Sequence, residues 1–352
     1  MCIAIPESVK VIGCEDGGGV FEGCTSLESI VVAEGNPIYD SREGCNAIIE
    51  TETNTLLYGC KSTIIPESVE WIGPGAFEGS SLESIVIPKG IKVIQVYAFS
   101  GCTSLKSVTI PVSVTKIEGD AFSGCTSLKS ITIPESVTEI GLETFSRCVS
   151  LESVVVADGN PVYDSREECN AIIETKTKTL LCGCKSTVIP ESVTAIKGSA
   201  FDGCASLESI VVPKGVTRIG SFAFIDCTSL KSITIPGSVT TIGDKVFEGC
   251  ASLKSIVIPE GVTEIGWGAF KGCSSLMSIT IPEAVTVIVE GAFKDCTSLK
   301  SITILGSETV IGPHVFEGCL ALTAIHVPAK KADYYKERLP EKLHDKIVEL
   351  EA

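Results

Sequence analysis

Seventeen cysteines, three histidines and a twice-written Tyr-Asp-Ser-Arg phrase are the groups in this 352-residue chain whose chemistry could matter most. A thiol can ligate a soft metal, close a disulfide or act as a nucleophile, and each use demands particular neighbours. Ten cysteines, Cys24, Cys102, Cys125, Cys148, Cys204, Cys227, Cys250, Cys273, Cys296 and Cys319, recur three residues ahead of a leucine. Recurrence at one phase reads as a small buried side chain, not as a metal or redox centre, and Ser80 stands near the same column. Five more, Cys45, Cys60, Cys169, Cys182 and Cys184, lie in two long related segments. With Lys176-Thr177 as the centre of a turn, cross-strand partners sum to 353, so Cys169 faces Cys184, and the same rule sets Cys45 against Cys60. Such pairs serve as buried thiols, or as disulfides stapling each hairpin if the protein is exported. A metal held by Cys169, Cys182 and Cys184 is the third reading, with no CxxC spacing or nearby His to support it.

Nucleophilic or general-base catalysis needs His, a carboxylate and a nucleophile brought together. His314 falls at a variable turn position, His326 on the last strand of the repeat region and His344 near the C-terminus, and each reads as a surface histidine. No GxGxxG, GxxxxGK[ST] or HExxH motif occurs. The run Gly17-Gly18-Gly19, after Cys14-Glu15-Asp16, reads as a loop rather than a phosphate cradle, because no helix of useful length follows it. The residues therefore predict no enzyme, no cofactor and no metal.

What must position these groups is a repeat. The leucine of SLKSITIP and its variants falls at Leu27, Leu82, Leu105, Leu128, Leu151, Leu207, Leu230, Leu253, Leu276, Leu299 and Leu322, mostly 23 residues apart. Two steps are long, 55 residues from Leu27 to Leu82 and 56 from Leu151 to Leu207. Eleven of the twelve phenylalanines keep the same register, among them Phe77, Phe99, Phe122, Phe201, Phe224 and Phe293. A period of this size is the signature of a leucine-rich solenoid. Within one turn, Leu105-Lys106-Ser107-Val108-Thr109-Ile110-Pro111 alternates apolar residues inward and ends at proline, which predicts a short parallel strand. Val137-Thr138-Glu139-Ile140-Gly141 predicts an extended return, and Ala121-Phe122-Ser123-Gly124-Cys125 a tight helical turn that drops Ala, Phe and Cys inward. No single turn buries both faces, so stacking must supply the core.

The expected architecture is a repeat solenoid, a right-handed β/α superhelix with a curved parallel sheet on its concave face and short helical or extended returns. Residues 1–328 make about eleven to twelve turns, with long hairpin-bearing turns at about 33–66 and 157–190, and 329–352 form a helix-strand cap. The long segments GNPIYDSREGCNAIIETETNTLLYGCKST and GNPVYDSREECNAIIETKTKTLLCGCKST are copies 124 residues apart, and AIIE with TLL predicts a hairpin protruding from each.

Repeats of the form FxGCTSLKSITIPESVTEIGxxA, with the IPxSVTxIG phrase and the NAIIET…GCKSTxIP turns, resemble the BspA-like class of leucine-rich repeats over essentially the whole chain. The resemblance implies a right-handed solenoid used for binding, with several members acting as adhesins on the surface of host-associated bacteria. Those members carry export signals and anchors. The N-terminus MCIAIPESVKVIG has no basic region and no apolar run, so as written the chain reads as cytoplasmic, whereas family resemblance implies a cell-surface or secreted protein if the N-terminus is truncated.

Composition bounds the partners. With 28 Lys+Arg against 44 Asp+Glu, the formal charge is -16, which argues against nucleic acid and anionic lipid. Prolines and charges interrupt every apolar run, so no membrane insertion is expected. The position after the leucine reads Glu28, Glu83, Lys106, Lys129, Glu152, then Glu208 and Lys231, a striped surface. Three residues on, a column alternates Val and Thr from Val31 to His326. Tyr39, Arg42, Tyr163 and Arg166 supply the Tyr and Arg that protein contacts favour, unless each phrase packs its segment onto the neighbouring turn. Trp71 and Trp267 are expected to be exposed. The sequence predicts a non-catalytic interaction or adhesion module for a protein or glycan partner, monomeric, or an intracellular scaffold with no discrete ligand.

Overall fold

The computed structural model describes residues 1–13, 20–21 and 23–351, so Cys14 and the Gly17-Gly18-Gly19 run lie outside the described residues. The fold is a parallel β-solenoid of about fifteen turns with little helix. It divides into two compact units, Met1–Ser165 and Arg166–Ala352.

In each unit the leucine-phase strands pair in parallel, one turn to the next. Ser130–Ile133 lies beside Ser153–Val156 in the first unit, and Ser278–Ile281, Ser301–Ile304 and Ala324–Val327 form a ladder in the second. Alternation sets the burial. Leu128, Ile131 and Ile133 are buried while Lys129, Ser130 and Thr132 face water. The returns are two-residue strands such as Val93–Ile94, Lys116–Ile117 and Glu139–Ile140, which pair into a second parallel ladder. On a third side the chain makes tight turns rather than helical ones, and these too are bonded across turns, as in Phe99 N to Ala121 O at 2.8 Å. The residue two places after each phenylalanine holds the left-handed conformation that the turn requires, mostly as glycine, such as Gly101 at φ 67° and Gly124 at φ 72°, and as Arg147, Asp226 and Asp295 in three turns.

Phenylalanine rings stack along this third side with 5.1 Å between Phe77 and Phe99 and 5.2 Å between Phe99 and Phe122. In the second unit the stack runs from Phe201 to Phe316. Each ring is a large apolar side chain removed from water, worth roughly 1.5–3 kcal/mol.

The two long steps each hold one turn more than the leucine spacing predicts. Cys60-Lys61-Ser62-Thr63-Ile64-Ile65-Pro66 occupies the phase of a leucine strand with Cys60 in the leucine position, and Lys61 N bonds to Leu27 O at 3.3 Å. Cys184 takes the same place in the copy. Hence the eleven to twelve turns expected become about fifteen, counting the first strand Cys2–Ile5 and the last, Ile347–Glu349. Nor do the hairpins stand clear of the solenoid. Ala47, Ile48 and Ile49 of strand Ala47–Glu50 are wholly buried, and Thr55–Gly59 continues the return ladder by pairing with Trp71–Ile72. Only the tip at residues 51–53 is exposed.

The long turn lacks a phenylalanine, and Gly59 is the reason the next turn fits. A Cβ there would stand 2.1 Å from the Phe77 ring, and one at Gly183 would stand 2.2 Å from Phe201. Past Val327, helix Ala332–Lys336 buries Tyr335, Leu339 and Leu343 are buried after it, and Ile347–Glu349 pairs in parallel with Ala324–Val327.

Candidate interaction surface

The Tyr-Asp-Ser-Arg phrases are structural. Tyr39 and Tyr163 are buried, and their hydroxyls accept the backbone N–H of Ile12 and Ile140, at 3.2 and 3.1 Å. Ile140 ends the return strand Glu139–Ile140 and Ile12 holds the matching place in the first turn, and burial of either N–H without a partner would cost about 1–3 kcal/mol. Asn160 completes the clamp by donating to Pro134 O and Val137 O at 2.9 and 2.8 Å. Arg42 turns to Asp40 at 2.7 Å and donates to Asn54 Oδ1 at 2.8 Å, while Arg166 reaches Ser192 Oγ at 3.4 Å. The expectation that these residues present a contact surface is corrected for the tyrosines, which fasten each long turn to the turn before it.

The hairpin thiols are not opposed in the way the tip predicts. Glu174 faces Thr179 and Ile173 faces Leu180, but a bulge follows, and Ile172 faces Cys182. The slip of one residue sets Cys184 level with Asn170, whose carbonyl accepts from the thiol at 3.4 Å, and Cys60 bonds likewise to Asn46 O at 3.3 Å. Cys45 and Cys169 sit behind, with sulfur 3.9 and 3.8 Å from the carbonyls of Ala47 and Ala171. No group of three His, Cys, Asp or Glu among the described residues is placed to hold a metal ion, Cys169, Cys182 and Cys184 included.

In the ten-cysteine column, Cys102, Cys125, Cys148 and Cys227 onward donate to a phenylalanine carbonyl one turn back, and Cys204, which follows the long turn without a phenylalanine, donates to Gly183 O at 3.7 Å; a reading of these residues as small buried side chains does not foresee the bond. Burial pushes the Cys102 and Cys250 thiols up to about 12, far from a reactive thiolate. The histidines are dispersed. His314 Nδ1 lies 2.9 Å from Glu317, His344 bonds to Leu339 O, and His326 stands half-buried, level with Thr303.

What remains for recognition is the outward face of the leucine-phase ladder. Its charged row is partly self-neutralised: Lys106 Nζ meets Glu83 at 2.6 Å, and Lys231 meets Glu208 at 2.9 Å. The hydrogen bond and charge of Lys106 hold Glu83 below the usual carboxylate range. Lys129 and Glu152 continue this row in the first unit, linked through Glu152 N to Lys129 O at 2.8 Å. Such exposed pairs add little to stability and are screened by salt.

Beside it runs an aliphatic row that sequence reasoning saw only in part. Ile64 and Val188 belong to it, at 76% and 72% exposure, next to Val86 at 67% and Val211 at 68%. They were missed because KSTIIP and KSTVIP were read as hairpin ends, although their match to KSITIP was visible. With them the row reads Val31, Ile64, Val86, Thr109, Thr132, Val155 in the first unit. In the second it reads Val188, Val211, Thr234, Val257, Thr280, Thr303, His326. Trp71 and Trp267 are exposed as expected, the latter with Lys245 Nζ 4.4 Å over its ring.

Comparison with known proteins agrees with this geometry. Residues 50–165, 179–288 and 217–338 match the BspA type leucine-rich repeat region, in six copies. No curated protein sequence matches the chain. Among solved structures, a leucine rich cell surface protein from Faecalibacterium prausnitzii is 28% identical, with 96% of this chain and 81% of that chain covered and a TM-score of 0.63. The pneumococcal vaccine antigen PcpA is 23% identical over 100% of this chain and 79% of its own, with a TM-score of 0.73, a likeness of fold.

Proposed function

We propose, from the premise that the chain belongs to the BspA-type leucine-rich repeat family, that it is a non-catalytic interaction module whose strand face meets a protein partner. The observation that carries this reading is the aliphatic row itself. Side chains as exposed as Ile64 and Val86 are repeated on a hydrogen-bonded ladder, where a monomer gains nothing by displaying them. They are β-branched and their backbone is already bonded, Val86 in the parallel pairing with Thr109 and Ile64 through its N–H to Cys45 O at 3.1 Å, so little freedom is lost on contact. The Ser and Thr hydroxyls of the same face would serve a glycan, but these columns carry no aromatic ring for a sugar to stack on.

The module is read as non-catalytic because the cysteines of the repeat column from Cys102 onward are buried, with thiols such as Cys102 and Cys250 pushed up by burial, and its histidines are scattered over separate turns. The similar protein from Faecalibacterium prausnitzii is described as a cell surface protein, and adhesion at a surface is the setting we propose here. An intracellular scaffold is the alternative.

Protease shaving of intact source cells tests the setting: peptides spanning Tyr163 to Thr187 should be released without lysis. Binding is tested by presenting the full chain to arrays of plasma and matrix proteins and of glycans, beside a variant carrying Val86→Lys and Val211→Lys. The reading expects protein contacts that the variant loses while its circular dichroism is unchanged. Equal binding by both chains would sink it.

A further inference from the structure

At the start of the first unit's aliphatic row, the long turn and its successor enclose an open cleft of about 510 Å³. Its floor is Ile64, Val86, Pro66 and Pro88, and two carboxylates, Glu43 and Glu67, stand at its rim. Both are exposed, and neither enters an ion pair among the described residues; Arg42, next to Glu43, is bound to Asp40 and acts on Glu43 only at longer range. An aliphatic floor with two carboxylates outside any ion pair at its edge is complementary to one ligand chemistry, an apolar side chain next to a cationic one.

The duplication writes the same set again. Glu167, Val188, Pro190, Glu191, Val211 and Pro213 hold the corresponding positions, all within the second unit. Glu43 and Glu167 share a further peculiarity, each holding a left-handed backbone at φ 57° inside its short turn. The long turn is what creates the site. It supplies the rim glutamate from its first arm and the floor Ile or Val from its last strand, whereas ordinary turns have Thr or Val in the row and no such arm.

We propose that each long turn forms a docking cleft for an extended peptide segment in which Lys or Arg alternates with an aliphatic residue, giving two equivalent sites per chain. The aliphatic residue lies on the Ile64 and Val86 floor, and the cation reaches Glu43 and Glu67. The proposal rests on the reading of the chain as a protein-interaction module and names the partner chemistry for it.

The test is titration calorimetry on the full chain with a short peptide of alternating Lys and Val. Peptides of alternating Lys and Ser and of alternating Glu and Val are the controls. The expected result is saturable binding at two sites per chain, weakened several-fold by added salt. Glu43→Gln with Glu67→Gln should leave one site, as should Glu167→Gln with Glu191→Gln, and all four together should weaken binding at least tenfold. These side chains are exposed, so the variants fold. Three results overturn the proposal: no saturable binding, equal binding of the Lys-Ser peptide, or undiminished binding to the quadruple variant. If the peptide fails while Val86→Lys with Val211→Lys still abolishes array binding, only the cleft is wrong; if both fail, the interaction reading falls with it.

Discussion

The thiol of Cys102 donates to the carbonyl oxygen of Phe77, one turn back, at 3.0 Å. The relationship recurs from Cys125 to Phe99, Cys250 to Phe224 and Cys273 to Phe247, each at 3.2 Å. Each carbonyl already accepts a backbone N–H within its own turn, as Phe99 O does from Cys102 N, so the thiol adds a second bond that ties turn to turn. Cys125→Ala should therefore lower the unfolding free energy by about 1–2 kcal/mol, the sum of a lost weak hydrogen bond and a small void. Urea denaturation measures it. An alanine variant as stable as the parent would show that the contact contributes nothing.

The same burial makes a prediction about alkali. The folded thiols of Cys102 and Cys250 are pushed up to about 12 and Cys319 to about 11, against an ordinary value of 9.0. In the unfolded chain these groups ionise first, so above that pH the folded state binds more protons and stability falls as pH rises. The expected urea midpoint is insensitive to these thiols below about pH 8 and declines from about 9 toward 12, by at most about 1.4 kcal/mol per pH unit per thiol. Replacing both Cys102 and Cys250 by Ala should flatten the decline; an unchanged slope would contradict it.

Phe122 is fully buried, with Phe99 at 5.2 Å on one side and Phe145 at 5.7 Å on the other. Phe122→Ala opens a void in the middle of the first unit's stack and should cost roughly 3–5 kcal/mol. Guanidinium denaturation followed by circular dichroism reads the loss, and an unshifted midpoint would reject the assigned core.

Gly59→Ala places a methyl where the Phe77 ring already is, so overpacking rather than backbone strain sets its cost, about 1–3 kcal/mol or more. Gly183→Ala should behave alike against Phe201. A compensating Phe77→Leu should restore part of the loss in Gly59→Ala. No recovery in the thermal midpoint of the double variant would mean that the ring is not the obstacle.

Tyr163→Phe removes the acceptor for the Ile140 N–H and should destabilise by about 1–2 kcal/mol without altering any binding measured on the arrays. A loss of binding with stability intact would return this tyrosine to the contact surface.

Most of the architecture was legible because the period was. Alternation in Leu128 to Ile133 gave strand, burial and phase together, and the phenylalanine and cysteine columns could be counted. The long turns resisted for a physical reason. Cys60 fills a leucine position and Thr63 an inward isoleucine position, because the adjacent hairpin backbone needs a partner there: the Thr63 hydroxyl donates to Asn46 O and accepts from Cys60 N, both at 2.7 Å. A polar residue facing inward disguises the strand, and with it the place of Ile64 in the exposed row. The bulge after Ile172 was equally hidden, since turn geometry fixes register only until an extra residue intervenes.

Gly59 beneath Phe77 has one more implication. Turns this alike could pair out of phase during folding, sliding by a whole repeat at little cost in contacts. A glycine notch that accepts a ring on one side only, placed near the end of each copied segment, acts as an index mark: a slipped stack would bring a second phenylalanine against the ring or leave the notch void. The long turns thus number the repeats, so that a nearly monotonous sequence has one correct way to count itself.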